Sequence, residues 1–331
     1  MTVPRVAVVF TGGTISSAFD PVAGGNVPTL DGAAILTRTP GVDAIADVVA
    51  IDRGRKPASH FSFDDLLDIG RILQDQLADP AIDGAVVVQG TDTIEETAFC
   101  WDLVLHGSKP VVVTGAMRAS DQPGFDGPAN LLDAIRVAAS PASRHVGVVV
   151  SLGGTIEAAD DVTKMHATAL DTFASPNSGS LGRVGPSGVT VLRRRAGRRH
   201  VATHRAAERI DLVTVGVAMD GSLIEAAAAT GADGIVVAAT GAGNTDPSIL
   251  AAAKDAIASG IPVAHATRCP AGRASGAYAF PGGGAEWLRA GAIPVGHLCA
   301  IKARVALALG IGAGLDRAGL AALLADPTEP A

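Results

Sequence analysis

Two hydroxyl groups and a carboxylate stand together in the stretch Gln89–Glu96, directly after the short apolar run Ala85–Val88. This run is rich in β-branched residues and predicts a strand that is covered on both faces. The glutamates that end the stretch suit the first turn of a following helix. The order is therefore strand, tight loop and helix, and in open α/β sheets ligands bind beyond the carboxyl ends of strands. Thr91 and Asp92 are candidates for holding a polar ligand at such a strand end.

Helix capping is the structural alternative for the same loop. A threonine or aspartate ahead of Glu95 or Glu96 resembles a capping arrangement. Thr93, with Glu96 three residues later, could cap the helix by itself. Capping would then leave Thr91 and Asp92 unexplained.

A second candidate turn, Thr11–Ile15, follows the first predicted strand. Its two glycines let the backbone approach a ligand and leave amide hydrogens free to point into a site. Thr14 could act as a nucleophile if a neighbouring group takes its proton, or its hydroxyl could cap the local backbone. The Gly-x-Gly-x-x-Gly pattern of dinucleotide-binding proteins is absent here, which disfavours a nucleotide-binding Rossmann protein. The tetrapeptide Gly12–Ile15 recurs as Gly153–Ile156, which we interpret as reuse of a strand-exit turn.

Three further residues are candidates for a functional role only if other side chains act together with them. Lys164 follows the predicted strand Val146–Val150, and a lysine is usually a solvated surface charge. A buried lysine near a carboxylate can instead lose its proton and act as a base. Ser59 and His60 form a Ser-His step, which has no triad geometry by itself.

Apolar runs alternate with helix-like segments along most of the chain, which is typical of an α/β protein with a parallel sheet. The stretch Ser16–Leu30 has little apolar periodicity, so we expect a lid or binding loop there. The predicted strands are Val6–Phe10, Ala85–Val88, Pro110–Val113, Val146–Val150, Leu212–Val217, Gly234–Ala238 and Ile261–His265. The predicted helices are Asp64–Leu77, Thr97–Leu105, Asn130–Ala139, Leu223–Thr230, Pro247–Ser259 and Ala300–Leu309.

The domain boundary is predicted between Leu192 and Asp211. The basic run Arg193–His200 has too much charge for a core, and we interpret it as a solvated hairpin or linker. The prediction is an N-terminal domain over residues 1–192 with the candidate nucleophile, the lid loop and the Thr-Asp-Lys cluster. A linker over residues 193–211 and a smaller C-terminal α/β domain over residues 212–331 follow.

Composition excludes several functional classes. The 331 residues suffice for two domains, and 48% of them are hydrophobic, enough to bury both cores. The net charge of −7 disfavours nucleic acid or an anionic membrane as partner and favours a small molecule. The chain begins without a secretory signal pattern, so a cytoplasmic location is expected. Its three cysteines show no metal-like spacing and are expected to be reduced and mostly buried.

Taken together, these segments resemble the bacterial L-asparaginase family. Its members are amidohydrolases with a threonine nucleophile, and they include the asparaginase-glutaminases. The likeness covers nearly the whole chain, with several motifs in the family's order. The segments similar to family motifs are Thr11–Ile15, Gly90–Ala98, Thr114–Arg118, Asp126–Asn130, Asp161–Lys164, Ser175–Asn177, Gly241–Asn244 and Lys302–Arg304.

The resemblance implies a role for each matching residue. Thr14 matches the nucleophile that attacks the side-chain amide carbon and forms an acyl-enzyme, while Thr91, Asp92 and Lys164 match the second catalytic cluster. Neutral Lys164 would take a proton through Thr91 while water releases aspartate. In this arrangement Ser59 would hold the substrate α-carboxylate and Asp92 would pair with the α-ammonium. Backbone N–H groups near Thr91 and Ala116 are candidates for the oxyanion, and Gly90 and His60 complete the implied binding set.

The family also implies an assembly. It predicts a larger N-terminal α/β domain and a smaller flavodoxin-like C-terminal domain with a parallel sheet, in a homo-oligomer that is a dimer or a tetramer of close dimers. Asn244 matches a residue that the neighbouring subunit contributes. Neither a cofactor nor a metal ion is expected.

The chain departs from the family pattern at the lid. Relatives place there a tyrosine that helps to activate the nucleophile, near Asn26 or Val27 of this sequence, whereas the only tyrosine here is Tyr278. Ser16, Ser17 or Thr29 could substitute, or the lid works differently, or turnover is weak.

The predicted substrate contacts also depart from the pattern. His60 replaces a glutamine that contacts the substrate amine, and Ala277–Ala279 stands where some relatives supply a glutamate. L-Asparagine is the expected substrate. A glutaminase, a broader amidase and a catalytically weak amino-acid-binding homologue are the alternatives.

Overall fold

The computed structural model describes residues 3–327. It divides the chain into two compact units, the first ending at Arg195 and the second beginning at Ala196. None of the helices within residues 3–327 has the length and apolar character needed to cross a lipid bilayer.

The strands of the first unit form one large sheet and two short pairs. Their bounds are β1 (Arg5–Phe10), β2 (Ser17–Asp20), β3 (Gly25–Pro28), β4 (Asp47–Asp52), β5 (Gly84–Val88), β6 (Val111–Thr114), β7 (Val148–Leu152), β8 (Thr155–Ala158), β9 (Thr163–Lys164), β10 (Phe173–Ala174), β11 (Gly182–Gly185) and β12 (Gly188–Val191). The large sheet has the order β12-β11-β8-β7-β6-β5-β1-β4. From β4 to β7 neighbouring strands are parallel, whereas β8, β11 and β12 are joined antiparallel. The α/β class is therefore confirmed, and this sheet is mixed rather than wholly parallel.

Each predicted helix and strand overlaps one in the structure. The helix bounds are α1 (Gly32–Thr37), α2 (Phe63–Ala78), α3 (Ile94–Val104), α4 (Gly127–Ala139), α5 (Ser222–Ala229), α6 (Pro247–Ala258), α7 (Gly284–Arg289), α8 (Ala300–Gly312) and α9 (Arg317–Leu324). Helices α1, α7 and α9 and several short strands were not predicted. In the first unit, Leu131 and Ile135 of α4 pack against Val8, Val86 and Val112 in one continuous core. This packing fixes the parallel strands whose carboxyl ends bear the candidate loops.

The second unit contains a parallel sheet. Its strands are β13 (Ile210–Thr214), β14 (Gly234–Ala239), β15 (Val263–Thr267) and β16 (Ile293–Pro294), arranged in chain order. Each neighbouring pair is parallel, which confirms the parallel sheet predicted for the C-terminal domain.

The stretch Ser16–Leu30, expected to be a loop without regular structure, contains a β-hairpin. Strands β2 and β3 pair antiparallel, with Ser17 opposite Pro28 and Asp20 opposite Gly25. The hairpin is held to the body of the unit by the amide of Phe19, which donates to Asp121 Oδ2 at 2.9 Å. Four-residue strands with few apolar side chains produce no alternating pattern, so the sequence did not reveal this hairpin.

The expectation that the basic run is solvated is wrong for two of its arginines. The side chain of Arg195 is only 7% exposed and forms ion pairs with Asp102 and Asp160. Arg199 is also buried, and its Nε donates to the carbonyl oxygen of Ala325. Carboxylates distant in sequence supply the partners that allow Arg195 to be buried, and a local reading of charge cannot detect them.

The cysteines are less buried than expected. Cys100 is buried, and its burial raises the pKa of the thiol to about 12. Cys269 is exposed to solvent and Cys299 is half-buried, so the prediction of mostly buried thiols is wrong for Cys269.

Candidate active site

Four adjacent parallel strands bring the candidate loops of the first unit to one edge of the sheet. The strands are β4, β1, β5 and β6, neighbours in that order. Ser59 follows β4, Thr14 follows β1, Thr91 and Asp92 follow β5, and Ala116 follows β6. Because carboxyl ends of parallel strands meet at the same edge, residues from four separate segments share one region.

The Thr14 turn requires its glycines. Gly12 and Gly13 have φ angles of +106° and +94°, a region that L side chains rarely adopt. A Cβ atom on Gly13 would lie 2.2 Å from the amide nitrogen of Gly90. The backbone of the Thr14 turn therefore lies directly against the backbone that leads into Thr91, and no side chain separates the two loops.

The repeated tetrapeptide provides an internal comparison for Thr14. Thr155 occupies the same place in Gly153–Ile156, and its hydroxyl donates to the carbonyl oxygen of Leu152 at 2.9 Å. That is the local capping behaviour expected of an ordinary turn. Within residues 3–327, no hydrogen-bond partner is found for the hydroxyl of Thr14. The capping interpretation thus fits Thr155 and not Thr14.

Lys164 has the partners that could make it more than a surface charge. Its Nζ lies 2.9 Å from Thr91 Oγ1 and 2.7 Å from Asp92 Oδ1. The Lys164 side chain is 10% exposed, whereas that of Asp92 is 76% exposed. A largely buried amine is thus connected to a hydroxyl and to a carboxylate that remains open to solvent.

Side-chain capping does not explain these residues. Thr93 precedes α3, yet it makes no side-chain cap bond, which contradicts the expectation that it could cap the helix. Its hydroxyl donates instead to the carbonyl oxygen of Ala58 at 3.2 Å. This bond ties the Thr91 loop to the short 3-10 helix Ala58–His60. Ser59 and His60 on that helix are both exposed.

Ala116 lies in a buried loop that two polar side chains hold in place. Asp126 accepts hydrogen bonds from the amides of Met117 and Arg118. Asn130 donates to the carbonyl oxygen of Gly115 at 3.0 Å and accepts from the amide of Gly153 at 3.1 Å. Sequence reasoning recognised Asp126 and Asn130 only as parts of a similar motif, because their bonding to this loop depends on the packing of α4.

The hydroxyl groups proposed to replace the lid tyrosine surround the Thr14 turn. Ser16 and Ser17 both donate to the carbonyl oxygen of Gly13, at 2.7 and 2.9 Å. Thr29 donates to the carbonyl oxygen of Ser16 at 3.4 Å. Asn26 and Val27 pair with Phe19 and Ala18 in the hairpin. The two serines thus hold the glycine turn in place through hydrogen bonds.

Within residues 3–327, no group of three His, Cys, Asp or Glu side chains is arranged to hold a metal ion.

Asn244 belongs to the second unit, after the carboxyl end of β14. Its backbone forms a bridge with Thr240, and its Oδ1 accepts from the amide of Gly284 at 3.4 Å. The preceding residue, Gly243, offers its carbonyl oxygen to Nε2 of His265 at 3.1 Å. Since a carbonyl only accepts, Nε2 bears the hydrogen. Trp287 stacks on the same imidazole with a centroid distance of 4.7 Å.

His265 gives the second unit a predictable pH dependence. Burial lowers the pKa of His265 to about 4, although its bond to Gly243 acts in the opposite direction. The unfolded chain therefore binds this proton at a higher pH than the folded chain does, and falling pH favours unfolding. We expect the free energy of unfolding of the second unit to fall by up to roughly 3 kcal/mol between pH 6.5 and pH 4.

Urea unfolding across this range tests the prediction. His265→Phe should flatten the dependence, whereas replacement of the exposed His204 by Phe should leave it unchanged. Equal slopes for the wild-type protein and His265→Phe would show that His265 is not its source.

Comparisons with known proteins agree with this arrangement. Residues 5–196 match the family described as "Asparaginase, N-terminal", and residues 209–324 match the "Glutaminase/Asparaginase C-terminal domain". The chain is 36% identical over 326 residues to the probable L-asparaginase of Deinococcus radiodurans, covering 96% of this chain and 95% of that protein. It is 32% identical over 308 residues to the L-asparaginase of Bacillus licheniformis, covering 92% and 94%.

A solved structure shares the fold. The crystal structure of a probable cytoplasmic L-asparaginase from Campylobacter jejuni matches with a TM-score of 0.86 and 27% identity, covering 97% of this chain and 99% of that one. The two-domain fold implied by the sequence is confirmed, and the chain belongs to the asparaginase family of amide hydrolases.

Proposed function

We propose that the protein hydrolyses the side-chain amide of L-asparagine to L-aspartate and ammonia through an acyl-enzyme on Thr14. The observation that supports this most strongly is the contact of Lys164 with Thr91 and Asp92, on a loop whose backbone touches the Thr14 turn. A hydroxyl that has no partner among residues 3–327 and a paired amine that contacts a neighbouring loop are the components of a two-step acyl transfer.

In the first step Thr14 Oγ1 attacks the amide carbon of the substrate. The carbonyl oxygen becomes an oxyanion, for which backbone N–H groups near Thr91 and Ala116 are the proposed donors. Collapse of this intermediate breaks the carbon–nitrogen bond, and the leaving nitrogen gains the proton that Thr14 lost. Ammonia departs and an aspartyl ester remains on Thr14.

In the second step water attacks the ester carbon. With Lys164 as the neutral amine, a proton passes from water through Thr91 Oγ1 to Lys164 Nζ, over the 2.9 Å contact. The ester bond to Thr14 breaks, the proton taken from water passes to the released Thr14 oxygen, and L-aspartate leaves.

Substrate recognition is assigned to residues around this centre. Asp92 is proposed to pair with the α-ammonium group, which its high exposure permits, and Ser59 to hold the α-carboxylate. Gly90 and His60 complete the binding set in the first unit. We further propose a homo-oligomer in which Asn244 of one subunit serves the site of its neighbour. Cytoplasmic location and the dimeric or tetrameric state remain predictions.

The family's C-terminal description includes glutaminases, so substrate choice needs a direct comparison. Ammonia release from L-asparagine and L-glutamine should be measured with purified protein at matched concentrations. We expect faster turnover of L-asparagine, whereas faster turnover of L-glutamine would favour a glutaminase.

The missing lid tyrosine supports one competing function, a protein that binds the amino acid without turnover. That alternative predicts that L-aspartate raises the melting temperature while no ammonia appears from either amide.

A further inference from the structure

The side chain of Arg195 is buried between two carboxylates that neither step of the reaction uses. Its Nη1 lies 2.7 Å from Asp102 Oδ2, and its Nη2 lies 2.8 Å from Asp160 Oδ2. The Asp102 side chain is 1% exposed and that of Asp160 is 20% exposed. Burial disfavours the charge on Arg195, but the two carboxylates outweigh it and raise the pKa of the guanidinium. This arginine therefore stays charged and bound to both carboxylates.

The two carboxylates belong to the two segments that meet at the proposed proton relay. Asp102 lies on α3, the helix that follows Thr91 and Asp92, and its Oδ1 also accepts from the amide of Val148 at 3.0 Å. Asp160 begins the short segment 160–164, which ends at Lys164 in β9. Strand β9 packs against α3.

The segment 160–164 is consequently attached to the Thr91–α3 segment at both of its ends. At one end Lys164 contacts Thr91 and Asp92. At the other end Arg195 joins Asp160 to Asp102. Residues 159–161 form a turn in which the amide of Val162 donates to the carbonyl oxygen of Ala158 at 2.8 Å. The segment is therefore short and compact, and its two attachments set where Lys164 lies against the Thr91–α3 segment.

We propose that Arg195 is a positioning residue for Lys164, and that its ion pair with Asp160 holds the amine within reach of Thr91. The inference rests on the proposed role of Lys164 in the reaction. A buried ion pair is weak grounds for assuming a purely stabilising role, because burial of the charges offsets much of their attraction. If Arg195 positions Lys164, loss of the ion pair moves the Lys164 amine relative to Thr91. If Arg195 only stabilises the fold, the amine stays in place.

Asp160→Asn is the first variant to test, because this side chain is partly exposed and Arg195 keeps its pair with Asp102. We expect kcat for L-asparagine to fall by about 10- to 100-fold while KM changes by less than about threefold, because a small displacement of a catalytic group mainly affects the chemical step. Asp160→Glu, which preserves the charge, should recover much of kcat. Arg195→Met should reproduce the loss of kcat if it folds.

A second readout does not require turnover. Acetylation of Lys164 by acetic anhydride, followed by peptide mass spectrometry, reports how freely the amine reacts. We expect it to be at least about threefold faster in Asp160→Asn than in the wild-type protein, because local opening frees the amine from Thr91 and Asp92. Arg144→Met is the matched control, since it breaks another Arg–Asp ion pair of the same unit, to Asp83 at 3.0 Å.

The outcomes separate this inference from the proposed function. Faster labelling and lower kcat in Asp160→Asn, with neither change in Arg144→Met, would support positioning. Wild-type labelling in Asp160→Asn, or an equal change in Arg144→Met, would overturn it. A wild-type protein that releases no ammonia would overturn the proposed function, while the labelling comparison would still decide whether the ion pair positions Lys164.

Discussion

Replacing Thr14 by alanine is expected to lower ammonia release from L-asparagine by about 10⁴-fold or more, because the variant has no atom that can form the acyl-enzyme. The substitution removes a hydroxyl that has no hydrogen-bond partner within residues 3–327, so the turn should keep its conformation. Binding of L-aspartate, measured by its effect on the melting temperature, should therefore persist. The measurement is initial-rate ammonia release at saturating substrate, with purified wild-type and variant proteins.

Thr155→Ala is the matched control for this variant. It makes the same chemical change in the same Gly-Gly-Thr-Ile tetrapeptide, and its threonine has a local partner in Leu152. We expect kcat close to that of the wild-type protein. Equal rates for the wild-type protein and Thr14→Ala would exclude Thr14 as the nucleophile.

Replacing Lys164 by methionine is expected to lower kcat by about 10²- to 10⁴-fold, the range associated with loss of a general base. Methionine keeps much of the apolar stem, so packing around this largely buried side chain is disturbed little. Asp92 loses its partner, but its high exposure limits the cost in stability. The measurement is kcat and KM for L-asparagine together with the melting temperature.

Lys109→Met provides the control for the loss of a lysine. Lys109 Nζ donates to the carbonyl oxygens of Leu77 and Asp79 and lies outside the proposed relay. Its kcat should stay near the wild-type value. A Lys164→Met protein that turns over L-asparagine at the wild-type rate would remove the proposed proton relay.

The parts of the fold with strong local patterns were predictable from sequence. The valine-rich runs that became β5, β6 and β7 are fully buried, and such strands show as continuous apolar segments. Their order along the chain, alternating with helices, implies parallel pairing, and parallel pairing places the loops after β1, β5 and β6 at one edge. The location of the candidate site therefore follows from pattern and topology, whereas the roles of its residues were inferred from the family resemblance.

Long-range pairing explains what the sequence did not reveal. The hairpin β2–β3 and the antiparallel strands β8, β11 and β12 are short and partly polar, so each lacks a clear period of two. The charge of the basic run predicts a solvated Arg195, and its actual partners, Asp102 and Asp160, lie 93 and 35 residues away in the sequence. Neither the pairing of short polar strands nor a long-range ion pair produces a recognisable pattern among residues that are adjacent in sequence.

The two copies of the Gly-Gly-Thr-Ile tetrapeptide show that identical local sequence does not determine how a threonine hydroxyl is bonded. Their sequences are identical, yet only one threonine hydroxyl is used by the local backbone. The difference arises from surroundings: the backbone of Gly13 lies against Gly90, whereas a Cβ on Gly154 would meet no atom closer than 3.5 Å. Packing, which the tetrapeptide does not determine, distinguishes the surroundings of Thr14 from those of Thr155.

Detection of the covalent intermediate is the direct test of Thr14 as the nucleophile. The enzyme should be mixed with L-asparagine, quenched in acid during turnover and digested, and the peptides should be mapped by mass spectrometry. We predict an added aspartyl group on the peptide that contains Thr14, with none on the peptide that contains Thr155. An aspartyl group on another residue, or steady ammonia release without any covalent adduct on Thr14, would contradict an acyl-enzyme on Thr14.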